Sequence, residues 1–218
     1  MATSEIQTFV QSHRRLFVLT GAGCSTNSGI PDYRDTDGNW KRTQPVRFQA
    51  FMADELTRRR YWARSMIGWR RFGQAEPNDA HRALAQLEAS GGCQILLTQN
   101  VDRLHQAAGS RDVIDLHGRL DLVRCMVCST ERRRADFQDE LVRLNANWAK
   151  LDATVLPDGD ADLDQSDFSD FAVRRVLRVV AFSNLTSCFS ARPFRVPTLT
   201  QPKRIWIART PCSSSVPR

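Results

Sequence analysis

The chain of 218 residues has no run of eighteen apolar residues, so it offers no candidate for a membrane-spanning helix. Its start, Met1 to Val10, lacks the basic-then-apolar layout of a secretory leader. It also lacks the arginine-rich, acid-poor character of an organellar transit segment, and a cytoplasmic location is the resulting expectation. Cysteine is sparse, with six residues in the chain, and a spacing of this kind does not suggest a disulfide framework. Acidic residues are missing altogether from 174–218, which holds nine Lys or Arg. The formal charge of +7 therefore belongs wholly to this tail, because residues 1–173 hold 22 basic and 24 acidic residues. A basic face folded into a domain usually interleaves acids, so no nucleic-acid partner is expected.

What is present has the alternation of an α/β protein. Leu16–Thr20 and Gln94–Thr98 are short apolar runs that read as buried strands, and Asp112–Leu116 is a weaker third. Phe48–Phe72 is helical in composition with mixed spacing. Asn78–Ser90 predicts a clearer helix, with Ala80, Ala83, Leu84 and Leu87 on one face and Gly91-Gly92 ending it. Pro157–Asp162 is an acidic, turn-rich loop. Beyond Arg174 there is neither a helix stripe nor a clean strand alternation, and the composition predicts a disordered tail.

The residues with chemistry gather where the strands end. Thr20-Gly21-Ala22-Gly23-Cys24-Ser25 follows the first strand, and glycines there let backbone amides approach a phosphate. The GxGxxG spacing of the common dinucleotide fingerprint is absent. Gly29-Ile30-Pro31-Asp32-Tyr33-Arg34 opposes helix and offers a carboxylate, a phenol and a guanidinium on a loop. Gln99, Asn100 and Asp102 stand at the carboxyl end of the second strand, the edge at which open α/β sheets bind ligands. They can hydrogen-bond a carboxamide or a ribose, and Asn100 or Asp102 can equally cap a helix. His117, between the third strand and Gly118, has the ring to act as a general base near neutral pH. Cys125-Met-Val-Cys128 is a knuckle that can hold one side of a tetrahedral zinc, although the same spacing also suits redox chemistry.

Taken in order, VLTGAGCSTNSGIPDYR, LLTQNVDRLHQAAGS, LHG and CMVC resemble the sirtuin family over about residues 5–173. RYWARSMIGW, PNDAHRAL and LPDGDADL are most similar to the branch containing mitochondrial sirtuin four and its bacterial relatives. The resemblance implies a Rossmann-like parallel sheet that binds NAD, capped by a small zinc-knuckle module begun by 119–173 and by a helical module. It implies NAD-dependent deacylation of an acyl-lysine protein or peptide, with release of nicotinamide and O-acyl-ADP-ribose. Carried over residue by residue, Gly21, Ala22, Gly23 and Ser25 belong to the phosphate loop. Asp32, Tyr33 and Arg34 lie on the cofactor-binding loop. Gln99, Asn100 and Asp102 line the ribose and nicotinamide pocket, His117 is the base, and Cys125 and Cys128 are zinc ligands. Protein mono-ADP-ribosyl transfer on the same fold, or a non-catalytic truncated product, are the alternatives.

After about Val173 the resemblance stops, and a second CxxC and the closing strands of the sheet are missing. Back-translation of the tail, read one base earlier with permitted synonymous codons, spells PPCAACGGFL, then KPDVVFFGE, then DTLLVVGS. These are the missing pieces in family order. We read 174–218 as the product of a one-base deletion near the Val173 codon. The chain as written is then expected to be unstable, with an incomplete zinc site and little or no deacylase activity.

Overall fold

The computed structural model describes residues 2–32, 46, 48–153, 160–163, 167–173 and 179–181. After helix α1 (Ala2–Ser12), strands β1 (Leu16–Thr20), β2 (Cys93–Thr98) and β3 (Val113–Asp115) form a parallel sheet in that order. Thr20 lies in register with Thr98, and Thr98 with Asp115, so the carboxyl ends of all three strands finish side by side. The loops that leave this edge are thereby brought together. Helix α4 (Asp79–Ala89) leads into β2, and the single turn of α5 (Leu104–Ala107) lies between β2 and β3.

The start of α4 is fixed by a reciprocal cap. Asn78 Oδ1 accepts from the amides of Ala80 and His81, and His81 Nδ1 accepts from the Asn78 amide. The expected apolar face is corrected here. Ala80 and Ala83 are exposed, Leu84 and Leu87 are half-buried, and the buried residue of α4 is His81. Its cap position turns that ring under the loop after β1.

A second unit is helical. Phe48–Phe72 is two helices, α2 (Phe48–Ala53) and α3 (Glu55–Phe72), divided by Asp54, whose carboxylate caps α3 through the Thr57 amide at 2.6 Å. The bond to Thr57 holds that carboxyl below its usual range. Residues Trp62 to Gly68 are all buried, so the middle of α3 is enclosed on every side while Glu55, Leu56, Arg60 and Arg71 are exposed, which is why no single stripe shows in its sequence. Trp62 meets Phe137 of α6 (Arg134–Leu144) edge to face, with ring centroids 4.7 Å apart. Arg134 is buried between them, its guanidinium 4.7 Å from the Trp69 ring and 5.5 Å from Trp62. It donates to Gln138 Oε1 at 2.8 Å and to the Ser65 carbonyl at 3.2 Å, and burial pushes its pKa down to about 10. Residues 167–173 are fastened to this unit. Asn145 exchanges two hydrogen bonds with the Ala172 backbone, and Trp148 Nε1 donates to Asp170.

Between the two units lies a small antiparallel sheet of β4 (Leu122–Cys125), β5 (Glu131–Arg133) and β6 (Val179–Ala181), in the order β5-β4-β6. Strand β6 corrects the reading of the tail as wholly without structure. Two adjacent valines carry high strand propensity, and β4 offers them a free edge. Residues 174–178 and 182–218, with Cys188 and Cys212, lie outside the described residues. Among the described residues no helix is long and apolar enough to cross a membrane.

Candidate functional site

The glycine-rich segment after β1 folds as two successive 3-10 turns, Ala22–Cys24 and Thr26–Ser28. The first intraturn bond runs from the Cys24 amide to the Gly21 carbonyl at 2.9 Å. The amides of Ala22 and Gly23 precede it, and such leading amides are the ones a turn leaves for a ligand. A Cβ on Gly23 would meet nothing within 4 Å among the described residues, and Gly23 is exposed. Gly29 ends the second turn at φ 82°, a left-handed conformation that suits glycine, and Ile30 then drops into the core.

Beneath the turns lies a compact polar network. Ser25, buried, donates to Asp102 Oδ2 at 2.6 Å. Asn100 Nδ2 donates to Ser25 Oγ and to the Gly21 carbonyl, each at 3.0 Å. Asp102 Oδ1 accepts from the Leu104 amide at 2.9 Å, so the same carboxylate caps α5 and holds Ser25. Gln99 is exposed, and its Oε1 stands 3.9 Å from where a Gly21 Cβ would be. The loops from β1 and β2 are therefore locked together by the residues named from the sequence, Gly21, Ser25, Asn100 and Asp102.

Between Asp102 and α5, Arg103 is held at φ 66°. A left-handed conformation costs a residue with a Cβ roughly 1 kcal/mol. Its ion pair with Asp115 at the end of β3 holds it there, and Gln106 adds a bond to the same carboxylate at 3.1 Å. Burial raises the Asp115 pKa, against the pull of Gln106 and Arg103. His117 follows two residues later, half-buried, and Gly118 turns the chain at φ 82°. It leaves the same sheet edge as the other two loops. Asp32 is half-buried past Ile30. Tyr33 and Arg34 lie outside the described residues.

Sequence reasoning named His117 but missed two further histidines, His81 and His105. His81 and His105 are both buried, with ring centroids 4.7 Å apart. His81 Nε2 is 3.5 Å from Ser25 Oγ and 3.9 Å from Cys24 Sγ. His105 Nε2 is 2.9 Å from Thr20 Oγ1, which itself donates to Thr98 Oγ1 at 2.9 Å. Burial, with His81 beside it, lowers the His105 pKa to about 4, so its imidazole is neutral at physiological pH. Burial also lowers that of His81. Asn78, which caps α4, donates to the Cys24 carbonyl at 2.8 Å and to Ser28 Oγ at 3.0 Å, tying the helix start to both turns. The signal for this was the pair Asn78 and His81 at capping-box spacing.

The knuckle is a separate place. Cys125 is buried at the end of β4 and Cys128 is exposed in the turn to β5. The turn is closed by the Cys125 amide to the Thr130 carbonyl and the Ser129 amide to the Cys125 carbonyl, at 2.9 and 2.8 Å. Bonds to Thr130, then to Cys125, bring the Cys128 thiol down to about 7. Two thiols supply half of a tetrahedral zinc site. Among the described residues no third ligand joins them, and the sole group of three or more is Cys24, His81 and His105.

A profile of the Sir2 family matches residues 21–158, from the glycine turn through the knuckle and α6. The chain belongs to the Sir2 family. Relatives of this Sir2 chain include NAD-dependent protein deacetylase 2 of Bradyrhizobium diazoefficiens, 72% identical over 173 residues, which covers 79% of this chain and 63% of the relative. The NAD-dependent protein deacetylase of Xanthomonas axonopodis pathovar citri is 64% identical over 168 residues, 77% of this chain and 57% of the relative. The chain thus spans less than two thirds of the length of these relatives. Among solved structures, one described as "Sir2-p53 peptide-NAD+" has a TM-score of 0.56 at 29% identity, covering 84% of this chain and 64% of that one. A Sir2Tm structure bound to a propionylated peptide gives 0.53 at 31%, covering 74% and 61%. The Rossmann-like fold of the Sir2 family is the fold of this chain.

Proposed function

We propose that the edge formed by Gly21–Ser25 and Gln99–Asp102 binds NAD, and that the activity built on it is deacylation of acyl-lysine in a protein or peptide. The observation that carries the reading is the lock of Ser25, Asn100 and Asp102 directly beneath the open backbone of Gly23. The residues present fit the nucleotide. The amides of Ala22 and Gly23 precede the first bond of the turn, where phosphates are commonly bound, and Asn100 and Asp102 bring an amide and a carboxylate to the same edge. The names of the relatives support the same reading. Asp32, Tyr33 and Arg34 are assigned to the cofactor-binding loop, of which the structure describes Asp32. NAD supplies a ribose carbon that turns electrophilic as nicotinamide departs. Asn100 and the Ser25–Asp102 pair orient the groups around that carbon and exclude water. His117 takes a proton from a ribose hydroxyl at one ring nitrogen.

The knuckle enters this reading as half of a structural zinc site, with Cys125 and Cys128 as two ligands. Residues 5–173 then form the family domain, and 174–218 is the out-of-frame stretch. Support comes from the aligned length with the Bradyrhizobium relative, 173 residues, the number that precedes the acid-free tail. On this reading the chain as written binds NAD and turns over little. A cytoplasmic place fits the four described cysteines, none of which is in a disulfide.

The test pairs two polypeptides, this chain and a version whose residues after Val173 follow the neighbouring frame. Each is incubated with NAD and an acetyl-lysine peptide, and nicotinamide release and peptide mass are followed. The expected outcome is NAD binding by both, weakened at least about tenfold by Asn100→Ala, which removes hydrogen bonds in the site. Rapid deacylation is expected from the restored version alone, falling on the order of a hundredfold in His117→Ala. NAD binding by neither polypeptide would sink the reading of the site. Equal deacylation by both would overturn the account of the tail.

A further inference from the structure

Beneath the glycine turns, three side chains with metal-binding chemistry meet from three different elements. Cys24 comes from the first 3-10 turn, His81 from the start of α4 and His105 from α5. One ligand atom from each lies within 4.8 Å of the other two. The Cys24 Sγ to His81 Nε2 distance is 3.9 Å. Two ligands on one tetrahedral zinc, with bonds of about 2.3 Å to sulfur and about 2.0 Å to nitrogen, stand roughly 3.6 Å apart. A small inward movement therefore seats a cation.

A second observation comes from the hydrogen bonds around His105. Thr20 Oγ1 shares a hydrogen bond with Thr98 Oγ1 and stands 2.9 Å from His105 Nε2, so the Nε2 side of the ring has a partner in either tautomer. With the ring proton on Nε2, donated to Thr20, the unprotonated nitrogen is Nδ1. This atom is buried and has no hydrogen-bond partner among the described residues, in a side chain that is 1% exposed. A buried lone pair without a donor is rare in a folded protein. A metal ion would satisfy it, and the Nε2 bond to Thr20 would then orient the ring as the outer partners of metal-bound histidines do.

We propose that Cys24, His81 and His105 form a three-ligand site for a divalent cation of zinc's borderline-soft class, distinct from the Cys125–Cys128 turn. One thiolate with two imidazoles suits that class, and three protein ligands leave a fourth position for water. On binding, the sulfur–proton bond of Cys24 is exchanged for a sulfur–metal bond and the proton leaves to solvent. His81 must offer Nε2, so its ring proton moves to Nδ1. That gives up the 3.3 Å bond from the Asn78 amide, the weaker half of the cap, while Asn78 Oδ1 still caps the helix. The site lies under the edge proposed for NAD, but its existence does not rest on that proposal.

The test is a cobalt titration of the chelator-stripped full chain, kept reduced and free of nucleotide. A Cys125→Ser/Cys128→Ser double variant is expected to retain one equivalent of cobalt with a thiolate-to-metal charge-transfer band and the visible bands of tetrahedral cobalt, both abolished by added zinc. Cys24→Ser in that background is expected to lose the charge-transfer band and to bind at least about ten- to a hundredfold more weakly. If the double variant does not fold, the comparison is the parent against Cys24→Ser alone, and the loss of one equivalent is expected. No thiolate band in the double variant, or an unchanged titration in Cys24→Ser, overturns the proposal. Because no NAD is present, either result is separate from the fate of the deacylase reading.

Discussion

The two main parts of the molecule are packed by different means. In the helical part Phe51, Trp62, Met66, Leu141 and Phe171 have no exposed surface at all, and even an arginine is enclosed. In the sheet part, Phe17 and Leu19 on one face of β1 remain 64% and 56% exposed among the described residues, and Phe9 of α1 is 53% exposed. All of the polar residues proposed for nucleotide binding that the structure describes belong to this less covered part. Their placement therefore depends on hydrogen bonds between loops, Ser25 to Asp102 and Asn100 to Gly21, more than on a surrounding core. The helical part holds its shape by volume, and the sheet edge holds its shape by polar geometry.

The largest expected break of this contrast is Trp62→Ala. Emptying a fully buried indole beside Phe137 and Arg134 should cost about 3–5 kcal/mol, read as a lower urea midpoint by circular dichroism. An unchanged midpoint would mean that the helical part is not the more tightly packed one. Next comes the contrast between thiols. Cys128 is exposed with a pKa near 7, whereas burial raises those of Cys24 and Cys93. In metal-free protein at pH 7, iodoacetamide should modify Cys128 at least about tenfold faster than Cys93, with a rate that climbs as pH rises through 7. Peptide mass spectrometry gives the order, and faster labelling of Cys93 would refute it. Smaller again is Asn78→Ala, which removes the α4 cap and two bonds to the glycine turns. We expect about 1–2 kcal/mol in stability, together with faster amide exchange at residues 22–29, and no change at α6. Smallest is Phe17→Ser, which should move stability by under about 0.5 kcal/mol yet reduce aggregation on heating, measured by light scattering.

The same contrast explains what could be read in advance. Strand ends and loop motifs are local, so Gly21, Ser25, Asn100 and Asp102 could be placed after the first two strands and Cys125–Cys128 in a turn from the sequence, and they stand after β1, after β2 and between β4 and β5. Residues whose environment is set by distant chain were not. His81 looked like one polar residue on an alanine-rich helix, but the cap aims it at a loop more than fifty residues away. Arg134 sits in a run of four consecutive arginines and glutamates that reads as solvated surface, yet two tryptophans from α3 enclose it. Strand β6 was missed because its partner, β4, supplies the reason for it to form.

The aromatic clustering around Arg134 has an optical consequence. Among the described residues the indoles are Trp62, Trp69 and Trp148, all in the helical part. Their share of the ultraviolet emission reports the packing of that part, and Trp40 and Trp206, which lie outside the described residues, add their own. In a Trp40→Phe/Trp206→Phe variant a fluorescence melt would trace the loss of the helical unit alone, so the nucleotide edge would need a reporter of its own, such as amide exchange or a dye placed on the β1 face.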